Sequence, residues 1–397
     1  MSLKVKVKLN DLANIVDCEH KTAPIQEVGI PSIRTPNVGK GHMILDNVNR
    51  VSDEVYKKWT KRAIPEYPDL ILAREAPVGN VAIIPKGLKV CLGQRTVLIR
   101  PKKELINPEY LNYLLNCASM NNLLLALSNG ATVGHLNVDD IRKLPLPGLP
   151  EMAVQKKIAA ILAAYDDLIE NNNRRIAILE KMAEEIYKEW FVRMRFPGHE
   201  KVRFVKGIPI DWKISQIGEF LELSYGKALK EENRIPGGFP VYGSSGRVGT
   251  HKSAIVKGPG IVVGRKGNVG SVHWSDYDFY PIDTVYYVRS KFPVQYLYFL
   301  LKTIPFINSD AAVPGLNRKQ AYSNKIFLPQ EKLIDSYKEK ISPLFDKRRR
   351  LLNTVETLKQ TRDRLLTRLI SGKLSVADLD IRFPRSMREE SDAELHP

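Results

Sequence analysis

The chain has 397 residues, 43% hydrophobic and 26% charged, the balance of a water-soluble globular protein with room for two domains. No run approaches the roughly 20 apolar residues of a membrane span, and Met1-Ser2-Leu3-Lys4 lacks the apolar core of a signal peptide. Three cysteines, Cys18, Cys91 and Cys117, contain no C-x-x-C pair, which argues against a disulfide framework or a zinc site and for a reduced, cytoplasmic protein.

Charge is distributed unevenly. Lys and Arg outnumber Asp and Glu by 61 to 44, a net charge of +17. Residues 1–150 carry 20 basic and 14 acidic groups, and residues 200–330 carry 18 and 10, whereas 151–199 balance at 8 and 8. Two separate basic blocks suit two surfaces that meet a polyanion. A basic, well-solvated surface is the plainer alternative.

The first 150 residues read as a mixed α and β domain. Apolar, β-branched runs such as 80–85 and 96–99 are punctuated by Gly and Pro. A short helix follows Asn107-Pro108 and another follows Asn137, which has an acceptor, Asp140, three residues on. Leu146-Pro147 ends the globular part.

From 151 to 197 the pattern changes in kind. Ile158, Leu162, Tyr165, Ile169, Asn172, Ile176, Leu179, Ala183, Ile186 and Trp190 recur at 4-3-4-3 spacing, the pattern of a coiled-coil seam. A helix over 151–195 would span roughly 65 Å at ~1.5 Å per residue.

Residues 198–330 then repeat the first domain. Ile71-Leu72-Ala73-Arg74-Glu75-Ala76-Pro77-Val78-Gly79-Asn80-Val81 returns as Val262-Val263-Gly264-Arg265-Lys266-Gly267-Asn268-Val269-Gly270-Ser271-Val272. Tyr110-Leu111-Asn112-Tyr113-Leu114-Leu115 returns as Tyr296-Leu297-Tyr298-Phe299-Leu300-Leu301. Val133, Leu136 and Asn137 return as Val313, Leu316 and Asn317, and Leu146-Pro147 as Leu328-Pro329. The starts match as well: Val7-Lys8-Leu9-Asn10-Asp11-Leu12 resembles Trp212-Lys213-Ile214-Ser215-Gln216-Ile217. Five matches in one order are a duplication. Strand-like 284–288, a helix after Phe292-Pro293 and a second helix N-capped by Asn317, with Gln320 as its acceptor, complete the copy.

A second seam follows over 331–372, in Tyr337, Ile341, Leu344, Arg348, Leu351, Val355, Leu358, Arg362, Leu365 and Leu369, with Pro343 placed to bend it. Neither seam can stay exposed, so the two helices are expected to pair, antiparallel because of the connectivity. The polar seam positions Asn172, Arg348 and Arg362 set register, or else meet a partner subunit. The fold class is therefore α+β: two mixed domains, each followed by a long helix, in a pseudo-two-fold internal repeat. Residues 373–397 have no apolar period and read as a partly disordered tail.

Catalytic patterns are missing from the sequence. It has no phosphate loop, no H-E-x-x-H and no paired-cysteine metal constellation. Asn107-Pro108-Glu109-Tyr110 has Glu where an amino-methyltransferase loop has Pro, and it looks like a helix start. Asp69 followed by Glu75-Ala76-Pro77 lacks the lysine of a nuclease E-x-K pair. Three sets of residues are candidates for DNA contact. In the first domain, Asp17-Cys18-Glu19-His20-Lys21-Thr22 is a polar loop in which one His and one Cys make a poor metal pair. Arg74 and Arg265 each stand beside a Gly-containing turn that lets backbone approach phosphate, or else they are surface arginines on structural turns. Tyr242-Gly243-Ser244-Ser245-Gly246-Arg247 suits base-edge or phosphate contacts, as an ordinary loop also would.

Nearly the whole chain resembles the specificity subunit of type I restriction–modification enzymes. Asp17-Cys18-Glu19-His20-Lys21-Thr22-Ala23-Pro24 with Gly29-Ile30-Pro31-Ser32-Ile33-Arg34 resembles one kind of target-recognition domain. Phe239-Pro240-Val241-Tyr242-Gly243-Ser244-Ser245-Gly246 with Val263-Gly264-Arg265-Lys266-Gly267-Asn268-Val269-Gly270, followed by Ile282-Asp283-Thr284, resembles another. The resemblance implies that the chain itself is not an enzyme. Each domain would read one half of a split, asymmetric target in double-stranded DNA, with the helices as a ruler between halves about 34–36 Å apart for one DNA turn. Two methyltransferase subunits and the restriction nuclease–translocase subunits would be the partners. S-adenosylmethionine, ATP and Mg would belong to those partners and no cofactor to this chain. Candidate DNA-binding residues are His20, Lys21, Thr22, Arg34, Lys40, Arg74, Arg95 and His135 in the first domain. In the second they are Tyr242, Ser244, Ser245, Arg247, Arg265, Lys266 and Asn268. The alternatives are a specificity subunit of a fused nuclease–methyltransferase, a coiled-coil nucleic-acid-binding scaffold without sequence preference, and an enzyme whose motifs have drifted.

Overall fold

The computed structural model describes residues 7–128, 134–306 and 315–388. Val133 and Val313, one of the repeat matches, lie outside them, as do the last nine residues. The chain divides into two compact units, 1–170 with 355–397, and 171–354. Among the described residues no helix is long and apolar enough to cross a membrane.

In the first unit the strands Ala13–Asp17, Thr96–Pro101, Leu70–Ala73 and Val81–Ile83 lie side by side in that order, all antiparallel. A smaller sheet joins Arg50–Val51, Ile30–Ile33 and Cys91–Leu92, the last pair parallel. The second unit repeats both sheets. Leu221–Tyr225, Val285–Ser290, Gly260–Gly264 and Val272–Ser275 form the antiparallel one. Gly246–His251, Phe239–Gly243 and Tyr280–Pro281 form the smaller one, again with a parallel last pair. The duplication read from the sequence is thus a duplication of strand order.

The helices also start where the repeat places them. Asn107 caps Pro108–Asn116 by accepting from the Tyr110 N–H, so this string is a helix start. Asn317 accepts from the N–H groups of Lys319 and Gln320 at the head of Arg318–Tyr322. Asn137 holds the same place before Val138–Arg142 but caps no N–H; its amide donates to Asp140 instead. Both domains close alike. Lys213–Gln216 pairs with Lys325–Leu328, and Lys8 forms the corresponding bridge to Pro145.

The two long helices run Met152–Tyr187, continued by a π turn over Lys188–Val192, and Glu331–Ile370. Pro343 lies inside the second without ending it. In the first unit Ile158, Ala159 and Leu162 share a core with Leu365 and Leu369, and Arg362 Nη1 donates to Asp166 Oδ1 at 2.5 Å. Tyr113 Oη donates to the other Asp166 oxygen, and burial followed by that carboxylate pushes the phenol's pKa well up. In the second unit Tyr337 Oη reaches the Ala183 carbonyl at 3.3 Å, while Arg348 Nε reaches Glu180 Oε1 at 2.5 Å and its Nη1 pairs with the half-buried Asp276. Positions that fall along one helix meet positions that rise along the other, so pairing is antiparallel inside each unit. Arg362 therefore ties one long helix to the other, and Arg348 ties its helix both to the other helix and to the second domain.

Other seam positions divide by burial. Ile169, Ile176, Leu179, Ile341, Leu351 and Val355 are buried, as is Asn172, which accepts from Arg175. Ile186, Leu344, Leu358 and Leu365 are half-buried. The described part of the tail differs from the expectation of disorder. Leu374, Val376 and Ile381 pack on the first unit's core, Lys157 Nζ donates to the Ala377 carbonyl, and Ser386 Oγ donates to Asp167. Single apolar residues separated by polar ones hold this segment, which is why no period announced it.

Tyr337 is fully buried against Trp190 and Phe191, with ring centres 5.7 and 5.0 Å away. Tyr337→Ala should cost about 3–5 kcal/mol in urea unfolding of the second unit, whereas Tyr337→Phe, losing one hydrogen bond, should cost about 0.5–1.5 kcal/mol. Equal losses would contradict this packing.

Candidate nucleic-acid interface

Each domain holds one turn by the same backbone bonds. In the first, Arg74 N–H donates to the Arg95 carbonyl, Gly79 N–H to Ala73 and Leu136 N–H to Arg74, at 2.9, 2.9 and 3.1 Å. In the second, Arg265 donates to Thr284, Gly270 to Gly264 and Leu316 to Arg265, at 2.9, 2.9 and 2.8 Å. Gly79 and Gly270 both have left-handed φ, +82° and +75°, which a side chain would strain; at Gly270 a Cβ would also meet Phe306 at 2.6 Å. Strand register extends the match: Asp17 stands opposite Val97, and Tyr225 opposite Tyr286. The frame therefore pairs Arg74 with Arg265, Glu75 with Lys266, His135 with Gly315, Asp17 with Tyr225 and Val138 with Arg318.

On this frame the first domain builds an unbroken polar chain. Arg95 Nη1 meets Glu75 Oε2 at 2.8 Å, and the other Glu75 oxygen meets His135 Nδ1 at 2.8 Å. His135 Nε2 lies 2.8 Å from Arg74 Nη2, Arg74 Nη1 lies 3.2 Å from Asp17 Oδ1, and Asp17 Oδ2 lies 2.9 Å from His20 Nε2. Acceptance from Arg74 requires the neutral His135 tautomer that donates to Glu75. The structure thus brings together His20, Arg74, Arg95 and His135, four residues far apart in sequence.

Arg74 requires a correction. Its side chain is only 7% exposed, and Nε donates to the Leu136 carbonyl at 2.8 Å besides its two other partners. Neither a phosphate contact nor a surface arginine describes it; it is an interior brace. Exposed groups around the chain are His20, Lys21, Thr22, Arg34 and Arg95, with Arg95 held at φ +63°. Arg34 lies over Gly93, next to Gln94, which donates to the His20 carbonyl. Lys40 is exposed on the loop whose Gly41 N–H donates to Val81. Asp17, Cys18 and His20 bring ligand-type atoms within 4.8 Å of one another. Asp17 already pairs with Arg74 and His20, however, and burial pushes the Cys18 thiol up, so these donors suit the hydrogen-bonded chain better than a cation.

In the second domain Ser244-Ser245 forms the tip of the hairpin that pairs Gly243 with Gly246 and Tyr242 with Arg247. The tip leans on the Arg265 turn, because the Ser244 carbonyl accepts from Ser271 Oγ at 2.6 Å and a Cβ on Gly267 would meet Ser244 Oγ at 3.0 Å. Ser245, Arg247, Lys266 and Asn268 are exposed there. Tyr242 is not free for a ligand: it is half-buried, and Oη donates to the Trp274 carbonyl. The sequence candidates do not include Tyr225, whose ring lies under Arg265, or Arg318, whose guanidinium lies over the same ring. Continuing the repeat to Asp17 and Val138 would have marked both positions.

Arg74→Leu should unfold the first unit rather than only weaken binding. Removing one partner of a buried ion pair costs about 3–5 kcal/mol, visible as a lower urea midpoint. A variant of unchanged stability would contradict the brace.

The family profile described as the type I restriction modification DNA specificity domain matches residues 1–181 and 209–347, one copy in each half. The type I restriction enzyme MjaIX specificity subunit of Methanocaldococcus jannaschii is 27% identical over 361 residues, covering 83% of this chain and 82% of that one. The MjaVIII specificity subunit of the same organism is 26% identical over 181 residues, 45% of this chain and 41% of that one. The crystal structure of a type I restriction–modification S subunit from M. genitalium superposes with a TM-score of 0.56 at 19% identity, covering 93% of this chain and 98% of that one. With two matched copies on two units of one topology, the chain belongs to the type I restriction–modification specificity subunits, and its two repeated domains are DNA-recognition domains.

Proposed function

We propose that each domain reads a different half of a bipartite, asymmetric target in double-stranded DNA, and that the chain directs methylation and cleavage carried out by partner subunits. One observation carries this reading. The two domains share a backbone frame down to individual hydrogen bonds, yet present different side chains at matched positions: Asp17 and Tyr225, Glu75 and Lys266, His135 and Gly315. Identical surfaces would favour a symmetric target; these surfaces differ in charge and in shape. The exposed side chains His20, Lys21, Thr22, Arg34, Lys40 and Arg95, and Ser245, Arg247, Lys266 and Asn268, are the contact candidates.

In this reading two copies of a methyltransferase subunit bind the chain, and restriction subunits join them. S-adenosylmethionine, ATP and Mg serve those partners. The long helices serve as the ruler for the spacing of the half-sites. Co-purification with the methyltransferase subunit, followed by selection from a randomised duplex library, tests the proposal. Enrichment of a two-part, non-palindromic motif is expected. A single contiguous motif, a palindrome or no enrichment would overturn it, the last favouring a nucleic-acid scaffold without sequence preference.

A further inference from the structure

The two matched sites differ most in how their cations are used. In the first domain Arg74 and Arg95 face two carboxylates, Asp17 and Glu75, and each arginine is ion-paired. The corresponding place in the second domain holds three cations, Arg265, Lys266 and Arg318. Among the described residues no carboxylate lies within ion-pairing distance of any of them. Tyr225 replaces Asp17, and its ring is half exposed at 51%. The Arg265 guanidinium carbon lies 5.3 Å from the Tyr225 ring centre and that of Arg318 lies 5.1 Å away. Both also bear on the neighbouring Tyr286: burial and the adjacent Tyr225 hydroxyl raise its phenol pKa, while the two guanidinium charges pull it back.

This arrangement has a definite chemical consequence. A guanidinium held against a ring gains from the aromatic quadrupole without spending its positive charge on a carboxylate. Its planar fork stays suited to the paired oxygens of a phosphate. An arginine that already pairs with a carboxylate must give up that partner to meet a phosphate, so its contribution to binding a polyanion is smaller. Arg265 is steadied further by Nε donating to the Asp283 carbonyl at 3.2 Å. Lys266 and Asn268, exposed on the same turn, extend the cationic surface past the hairpin tip at Ser245 and Arg247.

We propose that Arg265 and Arg318, converging on Tyr225, form a backbone-phosphate grip in the second domain, whereas the matched network of the first domain is internally neutralised and grips phosphate weakly. The two domains then divide the work unequally. The second carries more of the salt-dependent affinity, and the first discriminates through preset hydrogen-bonding groups. This rests on the reading of the chain as a DNA-recognition subunit and adds which domain supplies the electrostatic hold.

Salt titration of the full chain with a labelled random-sequence duplex tests it, since a phosphate grip acts on any sequence. Arg265→Gln and Arg318→Gln should each lower the slope of log K against log salt by about 0.9, the value for one phosphate contact. Arg265→Lys should restore most of the slope. Arg95→Gln should change it by less than half as much as either. Because Arg318 stands on a separate short helix, its variant carries the test even if Arg265→Gln fails to fold. Unchanged slopes in correctly folded Gln variants, or an Arg95 effect as large as theirs, would overturn the grip. Wild-type salt dependence with the predicted losses, but no bipartite motif in library selection, would instead overturn the recognition reading and leave the grip standing.

Discussion

Two apolar seams that cannot face water govern this molecule. Each unit is completed by a segment from the other helix. In the first unit Leu365 and Leu369 close over Ile158 and Leu162, although some two hundred residues separate them in the chain. In the second, Tyr337 and Ile341 join Ala183, Tyr187 and Trp190. Ion pairs then fix the register that apolar contact alone leaves loose: Arg362 on Asp166 in one unit, Arg348 on Glu180 and Asp276 in the other. The first unit, assembled from both ends of the chain, takes its final form only when the second helix and the segment after it are in place.

Much of this was legible in the sequence because periodic burial leaves a periodic trace. The 4-3 spacing marked the helices and the repeat marked the two domains as copies of one fold, since residues such as Gly79 and Gly270 are held by turn geometry that other residues strain to adopt. The sites were less legible. From the sequence Arg74 reads as a phosphate contact or a surface arginine beside a glycine turn, and only the fold shows Asp17, His135 and the Leu136 carbonyl closing around it. These partners lie about sixty residues away, and spacing carries no record of them. Tyr225 and Arg318 were missed for a related reason: they matter through their position on the frame, opposite Tyr286 and after Asn317, and they belong to no motif. The segment after 372 escaped because scattered apolar residues dock it.

The frame also explains how one fold can host two different reading surfaces. The bonds among Arg74, Arg95, Ala73, Gly79 and Leu136, and their counterparts among Arg265, Thr284, Gly264, Gly270 and Leu316, are backbone to backbone. They impose a turn without imposing side chains on the positions next to it. Glu75 and Lys266, or His135 and Gly315, can therefore differ completely while the turn stays where it is. In the proposed reading specificity resides in these exchangeable positions, while the core and buried braces such as Arg74 hold the fold.

The central claim is that each domain independently specifies one half of an asymmetric target. Its most direct test is adenine-methylation mapping in a host that carries this chain with its methyltransferase partner, before and after residues 198–330 are exchanged for the second domain of another family member. The account predicts a bipartite motif of which one half changes while the other half and the spacing persist. A motif that changes in both halves, or one that does not depend on the exchanged domain, would contradict it.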